Sequence, residues 1–364
     1  MSTRRLAYLC LETPREGQAV YTHVHETVNE LRALGWDVEL IATNAGGVSA
    51  RGSFLGRGLD YLRAQIRLVS VLPRVDAVYV RAHFAALPAS LVAWLWRKPV
   101  IQEINGLPAD LAITYPWLRP LLPVISTLYV LQYRLATNIA AVTDGLNLWV
   151  RQVTRHDRVL TIPNGANTEL FCADGPRAAA NGSYVIFVGG LVAWHGIETM
   201  LAALDEPGWP VGVHLLVAGD GIERQRLAAG NKRLEWLGKK PYYEIPALLR
   251  GALAALCVVE DPDGRSSAGV APLKLFEAMA CGVPVIVTDL PFQADLVRQH
   301  QAGVVIPMAA PEALARAVAA LAADPQAAQA MGARGARYVR EHASWRARAE
   351  QTARLILDAI NARR

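Results

Sequence analysis

Cysteines and long apolar runs are both scarce in this sequence of 364 residues, and each scarcity argues against a class of protein. The four cysteines are scattered without the spacing of a zinc site or a disulfide framework, which is typical of a reduced, cytoplasmic protein. The longest strongly apolar run without a charge, residues 120–133, is shorter than the ~18 residues of a spanning helix and contains Pro123. The apolar run at residues 6–11 is too short for a signal peptide. We therefore expect no disulfide-rich fold and no membrane-spanning helix.

Acidic residues are scarce between residues 51 and 98, where eight basic residues stand against two acidic ones. Within residues 59–72 the arginines share one side of a predicted helix, and Leu62, Ile66 and Val69 share the opposite side. The pattern predicts a basic amphipathic helix.

This basic stretch suits a membrane surface. Arg57, Arg63 and Arg67 belong to the helix, and Trp94 and Trp96 follow shortly after it. Such a surface fits the anionic face of a bilayer or a lipid-linked phosphate. The alternative is a solvated helix face followed by a buried tryptophan pair. No nucleic-acid-binding motif accompanies the arginines, so we do not expect a nucleic acid as the partner.

Two series of short apolar runs alternate with helical stretches along the chain. The runs predict strands at 6–11, 38–42, 77–80, 100–102, 139–142, 160–162, and then at 184–188, 214–218, 234–237, 254–259, 284–288 and 304–306. Strand, helix and strand at these intervals predict parallel pairing in doubly wound sheets. A chain of this length also exceeds one ordinary core. We expect an α/β protein with two Rossmann-like domains facing each other across a cleft.

The expected domain boundary follows a turn at residues 163–165. Residues 1–170 form the first domain, and residues 171–183, rich in Ala, Gly and Pro, form the linker. Residues 184–342 form the second domain, and we expect a final helix at 343–364 to pack back on the first. In the first domain, the loop after the first strand contains Gly17, a candidate for a phosphate-binding turn at the carboxyl end of the sheet.

Residues 271–288, APLKLFEAMACGVPVIVT, predict a short helix, a stop at Gly282 and a buried strand. Lys274 lies in the first turn and Glu277 lies nearer the other end, so both charges oppose the helix dipole. A ligand would account for this placement: a diphosphate held by Lys274 and the first amides, with sugar hydroxyls on Glu277. The alternative is an exposed Lys–Glu pair, which is worth only ~0.2–0.5 kcal/mol.

Five segments carry a resemblance to a known family: LGWDVEL from residue 34, IPNGANTELF from 162, FVGGLVAWHG from 187, AGDG from 218 and EAMACGVPV from 277. In this order and with these gaps, they resemble the retaining glycosyltransferases of family 4, which have the GT-B fold. The resemblance covers nearly the whole chain. It implies a nucleotide-diphospho-sugar donor in the second domain and a glycan or lipid-linked acceptor in the first.

The resemblance also implies roles for single residues. Glu277 matches the glutamate that holds the ribose hydroxyls, and the amides near Lys274 and Leu275 would hold the diphosphate. Gly189 and Gly190 match the turn after the first strand of the donor domain. No cofactor and no metal are expected, since cationic side chains and helix N-termini balance the charge of the leaving group.

Several positions depart from the family pattern. Gly269 stands where a first glutamate is common. Gly190 and His195 stand where an arginine and a lysine are usual. Asn105, two residues after Glu103, occupies the place of a histidine near the sugar.

A second motif, Asp261-Pro262-Asp263, resembles the metal motif of the other glycosyltransferase fold, but we interpret it as an ordinary turn.

Three hypotheses remain open. In the first, the chain is a retaining, metal-independent glycosyltransferase in the cytoplasm, peripheral on the inner face of the membrane. Lys274 and His195 would stabilise the departing diphosphate, and Glu103 and Asn105 would lie near the reacting sugar. In the second, it is a non-catalytic nucleotide-sugar-binding partner, because several family residues are replaced. In the third, it is a GT-B nucleotide-sugar epimerase.

Overall fold

The computed structural model describes residues 3–43, 54–178, 182–261 and 264–363. They form two compact units. Unit 1 comprises the chain up to Pro163 together with the segment from Arg346 onwards, and unit 2 comprises Asn164–Trp345.

Unit 1 is built on a parallel six-stranded sheet with the strand order β2-β1-β3-β4-β5-β6. The strands are β1 (Arg5–Cys10), β2 (Asp37–Ala42), β3 (Ala77–Arg81), β4 (Val100–Ile104), β5 (Asn138–Ala141) and β6 (Val159–Thr161). The helices are α1 (Ala19–Ala33), α2 (Phe54–Val71), α3 (Leu87–Leu95), α4 (Leu111–Thr114), α5 (Leu122–Leu135) and α6 (Asp144–Thr154). All six predicted strands are confirmed.

The strands of unit 1 are apolar on both sides because helices cover both faces of the sheet. In β1, Leu6 and Tyr8 point toward α1 and the final helix, whereas Ala7 and Leu9 point toward α2 and α3. This alternation explains why the strand reads as a continuous apolar run. The final helix, α13 (Trp345–Arg363), returns from unit 2 and covers the first of these faces.

The predicted helix is present as α2, and it does not pack on the sheet through the side that carries Leu62 and Ile66. Ala64 and Leu68 form the buried side of this helix, whereas Leu62 is 53% exposed and Ile66 is 59% exposed. Apolar and basic side chains are therefore exposed together.

Unit 2 repeats this plan with the strand order β12-β11-β10-β7-β8-β9, again all parallel. Its strands are β7 (Ser183–Val188), β8 (Val213–Ala218), β9 (Leu234–Gly238), β10 (Ala254–Cys257), β11 (Val285–Thr288) and β12 (Gly303–Ile306). Its helices are α7 (Ile197–Asp205), α8 (Ile245–Gly251), α9 (Leu273–Ala280), α10 (Gln293–His300), α11 (Pro311–Ala323) and α12 (Pro325–His342). The two doubly wound sheets confirm the predicted fold class.

The chain enters unit 2 earlier than the segment predicted as a linker. The amide of Ala166 donates to the carbonyl of Ala343, and Phe171 is fully buried in the core of unit 2. Residues 179–181 of that segment lie outside the described residues. Within the described ranges, no helix is both long and apolar enough to cross a membrane.

Candidate functional site

Two glycine loops meet at the carboxyl edge of the sheet of unit 2. One loop follows β7 and contains Gly189, and the other follows β8 and contains Gly219. A Cβ atom on Gly219 would lie 1.9 Å from the carbonyl oxygen of Gly189, and one on Gly221 would lie 2.2 Å from that of Leu191. Only glycine allows this contact of backbone with backbone. Because the strand order reverses between β7 and β10, the loop after β7 lies at the topological switch point, where parallel sheets bind ligands.

The ammonium group of Lys274 lies beside the first of these loops. Helix α9 begins at Leu273, with Pro272 as its N-cap residue and no side-chain cap. The Nζ atom lies 4.0 Å from the ring centroid of Phe187, and a Cβ built on Gly189 would be 3.2 Å from it. Within the described part of the chain, this Nζ is buried without a hydrogen-bond partner. The structure therefore places a desolvated cation next to a glycine backbone at a helix N-terminus.

Burial lowers the pKa of Lys274 to about 8, and the nearby Cys257 and Glu277 offset only part of that effect. A buried ammonium without a hydrogen-bonded anion is costly, although the face of the Phe187 ring recovers a little of the cost. An anion bound between Lys274 and the first amides of α9 would restore the charged state.

Glu277 is 7% exposed, and its Oε1 accepts a hydrogen bond of 2.8 Å from the hydroxyl of Tyr242. The alternative of an exposed Lys–Glu pair is therefore wrong. Tyr242 in turn packs against Phe171 at 5.1 Å between ring centroids. The sequence did not predict that Tyr242 is the partner of Glu277, because nothing in its neighbourhood carries a periodic signal.

Two further predicted donor-side residues, His195 and Leu275, lie close along the chain to Gly190 and Lys274. His195 lies in a 3-10 turn, and its Nδ1 is 2.6 Å from the carbonyl oxygen of Gly190. A carbonyl can only accept, so this contact assigns the proton to Nδ1. The side chain of Leu275 is fully buried, and its amide donates to the carbonyl of Pro272 at 3.1 Å. The amides of Leu273 and Lys274 are the first two of the helix.

The departures from the family pattern have a structural counterpart. Gly269, which stands where a glutamate is common, has a φ of 89°, a conformation that side chains with a Cβ rarely adopt. In the turn predicted at Asp261-Pro262-Asp263, the carboxylate of Asp261 accepts from the amide of Ser266 at 2.7 Å, and Pro262 and Asp263 lie outside the described residues.

No cluster of three or more metal-ligating His, Cys, Asp or Glu side chains is found among the residues that the structure covers.

In unit 1, a buried polar cluster surrounds Glu103. Strand β4 extends beyond Gln102 to Ile104, so Glu103 lies inside the strand and is 3% exposed. The strand predicted at 100–102 would have ended before Glu103, so that boundary was wrong. Its carboxylate is contacted by side chains from β1, β3, α1 and the loop after β4.

Five groups contact this one carboxylate. Oε1 accepts hydrogen bonds of 2.7 Å from both Arg81 and Asn105, and the Nε2 of His23 lies 2.9 Å away. Oε2 accepts from Tyr79 at 2.8 Å and from Tyr8 at 3.3 Å. Few lone pairs remain, so Glu103 is poorly placed to accept a proton from a substrate.

Burial would raise the pKa of Glu103, but His23, Arg81 and Asn105 more than offset it and hold the pKa well below its usual range. The opposite holds for its cationic partner: burial would lower the pKa of Arg81, and Glu12 and Glu103 raise it. Both groups therefore stay charged. Strand register could have revealed this pair, because Arg81 lies directly beside Glu103 on the neighbouring strand.

Asn105 lies at the end of this cluster and is half-buried. Its Nδ2 donates to Glu103, and this hydrogen bond fixes the orientation of its Oδ1, which is an acceptor. The chain turns directly afterwards: the amide of Leu107 donates to the carboxylate of Asp110 at 2.9 Å, and a Cβ on Gly106 would lie 2.5 Å from the same carboxylate.

Gly17, the remaining predicted residue, has a φ of 83° in the loop between β1 and α1 of unit 1. It does not belong to the unit that holds Gly189, Lys274 and Glu277.

Two family models match the chain. The model described as Glycosyltransferase Family 4 matches residues 20–170, and the model described as Glycosyl transferases group 1 matches residues 175–338. Together they account for most of both units.

Curated relatives match shorter stretches. The chain is 31% identical over 225 residues to the phosphatidyl-myo-inositol mannosyltransferase of Mycobacterium leprae, which covers 59% of this chain and 57% of that protein. It is 28% identical over 208 residues to the D-inositol 3-phosphate glycosyltransferase of Segniliparus rotundus, which covers 53% of this chain and 45% of that protein. The matches therefore span about half the length of these relatives.

Solved structures match over nearly the full chain. The sucrose-phosphate synthase of Thermosynechococcus elongatus superposes with a TM-score of 0.79 at 18% identity, covering 99% of this chain and 100% of that one. The Anabaena protein HepE in complex with UDP-glucose superposes with a TM-score of 0.70 at 16% identity, covering 97% of this chain and 99% of that one. At such identities the superpositions show a shared fold.

Proposed function

The chain belongs to glycosyltransferase family 4 and has the GT-B fold, and from this premise we propose that it transfers a sugar from a nucleotide-diphospho-sugar to a glycan or lipid-linked acceptor. The transfer is proposed to retain the anomeric configuration and to need no metal. The observation that carries the proposal is the buried ammonium of Lys274, which has no described hydrogen-bond partner and lies beside Gly189 at the start of α9.

On the donor side, the leaving group would be a nucleoside diphosphate. When the bond between the sugar and the diphosphate breaks, negative charge accumulates on the phosphate oxygens. Lys274 and the amides of Leu273 and Lys274 would stabilise that charge more than they stabilise the intact donor, because the site is desolvated and already arranged. The solved complexes of HepE contain UDP and UDP-glucose, which supports a diphosphate ligand for this chain.

Glu277 would hold the ribose. Its Oε1 is already oriented by Tyr242, so the carboxylate can accept from two neighbouring hydroxyls without reorganising. His195 would approach the diphosphate through Nε2, since Nδ1 is engaged by Gly190. Gly190 opens onto space in which a Cβ would meet no described atom within 4 Å, which leaves room for the donor.

On the acceptor side, Asn105 would contact a sugar or acceptor hydroxyl through Oδ1. Glu103 would act as a positioning residue, since it fixes Asn105 and has few lone pairs left for a substrate. We expect Asn105→Ala to lower transfer at least tenfold, the loss of about 1.4 kcal/mol of transition-state stabilisation, and to leave nucleotide affinity unchanged. A variant that keeps full transfer activity would place the acceptor contacts elsewhere.

We further propose that the acceptor is lipid-linked and that transfer takes place at the cytosolic face of the membrane. The basic residues of α2, including Arg57, Arg63 and Arg67, support this location, as do the exposed side chains of Trp94 and Trp96. The curated name of the Mycobacterium leprae relative also includes a phosphatidyl lipid.

One assay tests the central proposal. Purified protein is incubated with a panel of UDP-, GDP- and ADP-sugars and a membrane extract, and the release of free nucleoside diphosphate is measured. Lys274→Met serves as the disabled variant, and the exposed Lys232→Met serves as its matched control. Nucleotide binding without release would favour the non-catalytic partner, and an epimerised nucleotide-sugar in the absence of acceptor would favour the epimerase. Neither binding nor release across the panel would refute the proposal.

A further inference from the structure

Exposed large apolar side chains are concentrated on one layer of helices in unit 1. Of the 18 large hydrophobic residues that are exposed in the described chain, 12 lie on α2, α3, α5 and α6, at their ends, or in the 3-10 segment before α5. We call this layer the α2–α6 face. Its exposed apolar members are Leu59, Leu62, Ile66, Leu91, Trp94, Leu95, Trp96, Trp117, Leu121, Val124, Leu131 and Leu148.

The helices of this face lie side by side. Helix α3 packs against α2 and α5, and α5 packs against α6. The amide of Ala89 in α3 donates to Gln65 of α2 at 3.2 Å, which ties the first two helices together. On the other side of the same sheet, none of the described residues of α1 and α13 adds to the exposed large hydrophobic set. The apolar surface is therefore a property of one face and not of unit 1 as a whole.

Folding does not account for these side chains. Each helix already buries a separate set against the sheet, such as Ala64 and Leu68 of α2, Ala89 and Ala93 of α3, and Tyr133 of α5. In unit 2, which has the same architecture, the described exposed residues of this kind are only Val211, Ile222, Trp236, Tyr243 and Met308. A concentration of exposed apolar groups beyond what the core needs marks an interaction surface.

The charge on this face selects the kind of partner. Exposed basic residues stand among the apolar ones, including Arg57, Arg63, Arg67, Arg97 and Arg119. Between residues 54 and 137 the sequence contains only four acidic residues, and one of these, Glu103, is buried in the cluster described above. A second copy of the chain would bring like charges together, which disfavours self-association. Tryptophan, leucine and arginine on one face, with few carboxylates, fit the headgroup region of an anionic bilayer.

We propose that the α2–α6 face docks onto an anionic membrane by inserting its tryptophan and aliphatic side chains at the headgroup level. The arginines contact lipid phosphates, and the apolar groups supply attachment that salt does not screen. Attachment therefore has two components, one electrostatic and one hydrophobic.

This inference rests on the proposed function, because a face that binds the membrane would bring the protein to a lipid-linked acceptor. Asn105 directly follows β4, at the carboxyl edge of the sheet. The segment after it leads through Trp117 and Leu121 into α5. Helix α5 begins at the same edge, because helices run antiparallel to the strands of such a sheet. A lipid-linked acceptor held at the face would therefore be close to Asn105.

Vesicle co-sedimentation tests the inference. Vesicles of phosphatidylcholine alone are compared with vesicles that also contain an equal part of phosphatidylglycerol, at low and at physiological salt. The apolar variant is Leu95→Gln/Trp96→Gln/Trp117→Gln. Its matched control, in unit 2, is Val211→Gln/Ile222→Gln/Tyr243→Gln. Circular dichroism checks that the variants are folded.

We expect the protein to bind the anionic vesicles and to retain part of that binding at physiological salt. The apolar variant should bind roughly tenfold more weakly or worse, and the unit 2 control should bind normally. The variant Arg57→Gln/Arg63→Gln/Arg67→Gln should lose most of the salt dependence.

Absence of binding to anionic vesicles at low salt would overturn the inference, and so would normal binding by the folded apolar variant. A dimer in analytical ultracentrifugation that the apolar variant abolishes would assign the face to a second copy instead. Calorimetry of UDP and GDP on the same proteins separates the two proposals. Loss of vesicle binding with intact nucleotide binding refutes only the membrane face, and the reverse result refutes only the donor site.

Discussion

At the scale of single residues, the burial of Lys274 predicts opposite effects of pH on the stability of the free protein and on its affinity for a nucleotide. Because its pKa is lowered to about 8, the unfolded chain binds more protons than the folded protein between pH 8 and the ordinary lysine value. The stability of the ligand-free protein should therefore rise with pH across that window. Nucleoside diphosphate affinity should fall across the same window, by at most about tenfold per pH unit, since the anion needs the charged form.

Calorimetric titration at several pH values, together with urea unfolding, measures both trends. Lys274→Met should flatten both and should lower kcat/KM by roughly ten- to a hundredfold. If the variant keeps the pH dependence of nucleotide affinity, another group holds the diphosphate. His195→Gln is the informative second variant, because His195 is the other predicted cation in this loop.

Glu277 offers a test of the ribose contact that does not change the shape of the site. In Glu277→Gln the side chain keeps its size and its carbonyl oxygen can still accept from Tyr242, but the charge is lost. We expect nucleotide affinity to fall by about 1.5–3 kcal/mol, the usual range for hydrogen bonds to a charged group. Calorimetry checks this, with the exposed Glu244→Gln as control. Equal affinities in the two variants would remove Glu277 from the site.

At the scale of elements, Glu103 joins β4 to β1, β3 and α1. In Glu103→Gln the charge disappears while the guanidinium group of Arg81 stays buried beside it. We expect a loss of about 3–5 kcal/mol in the free energy of unfolding, as is typical when one partner of a buried ion pair is removed.

Urea denaturation measures this loss. Glu39→Gln is the control, because Glu39 pairs with Arg67 at 3.2 Å on the surface, where such pairs contribute only about 0–1 kcal/mol. Because the pKa of Glu103 is depressed in the folded protein, its contribution is present above the ordinary glutamate pKa and is lost as pH falls below it. The variant should therefore lose part of its acid sensitivity. Equal stabilities of the two variants would mean that the cluster does not link the elements.

Elements were easier to predict than the partners of the site residues. Short apolar runs identified all twelve strands, because strands buried on both faces leave a strong local pattern. Gly35, with a φ of 89°, ended α1 as a helix-stop glycine should.

The features that the sequence did not predict are contacts between residues that lie far apart along the chain. Local periodicity could not show that α2 packs through Ala64 and Leu68, because the fit of these side chains to the sheet decides which side is buried. The partners of Glu277 and Glu103, such as Tyr242 and Tyr8, come from elements distant in sequence. Local pattern cannot specify them, although parallel register would have placed Arg81 beside Glu103.

At the scale of the whole molecule, unit 1 is discontinuous: its sheet comes from the first part of the chain and α13 comes from the last. The helix is anchored by Ile356, which is fully buried against α1 and β1, and by the carbonyl of Leu355, which accepts from Asn138 at 2.9 Å. The first unit can therefore be completed only after the second has been synthesised. The stability of unit 1 should depend on residues far along the chain from its strands.

Ile356→Ala tests this dependence, because it leaves a cavity under α13. We expect unit 1 to lose about 2–5 kcal/mol of stability, the range for deleting a large aliphatic side chain from a core. Hydrogen exchange read by mass spectrometry should show faster exchange in β1 and α1, where Ile356 packs, and unchanged exchange in β7 to β12 of unit 2. The exposed Arg354→Ala on the same helix should change neither. An equal rise of exchange in both units would instead show that they unfold as one, and then the last helix would stabilise the whole chain.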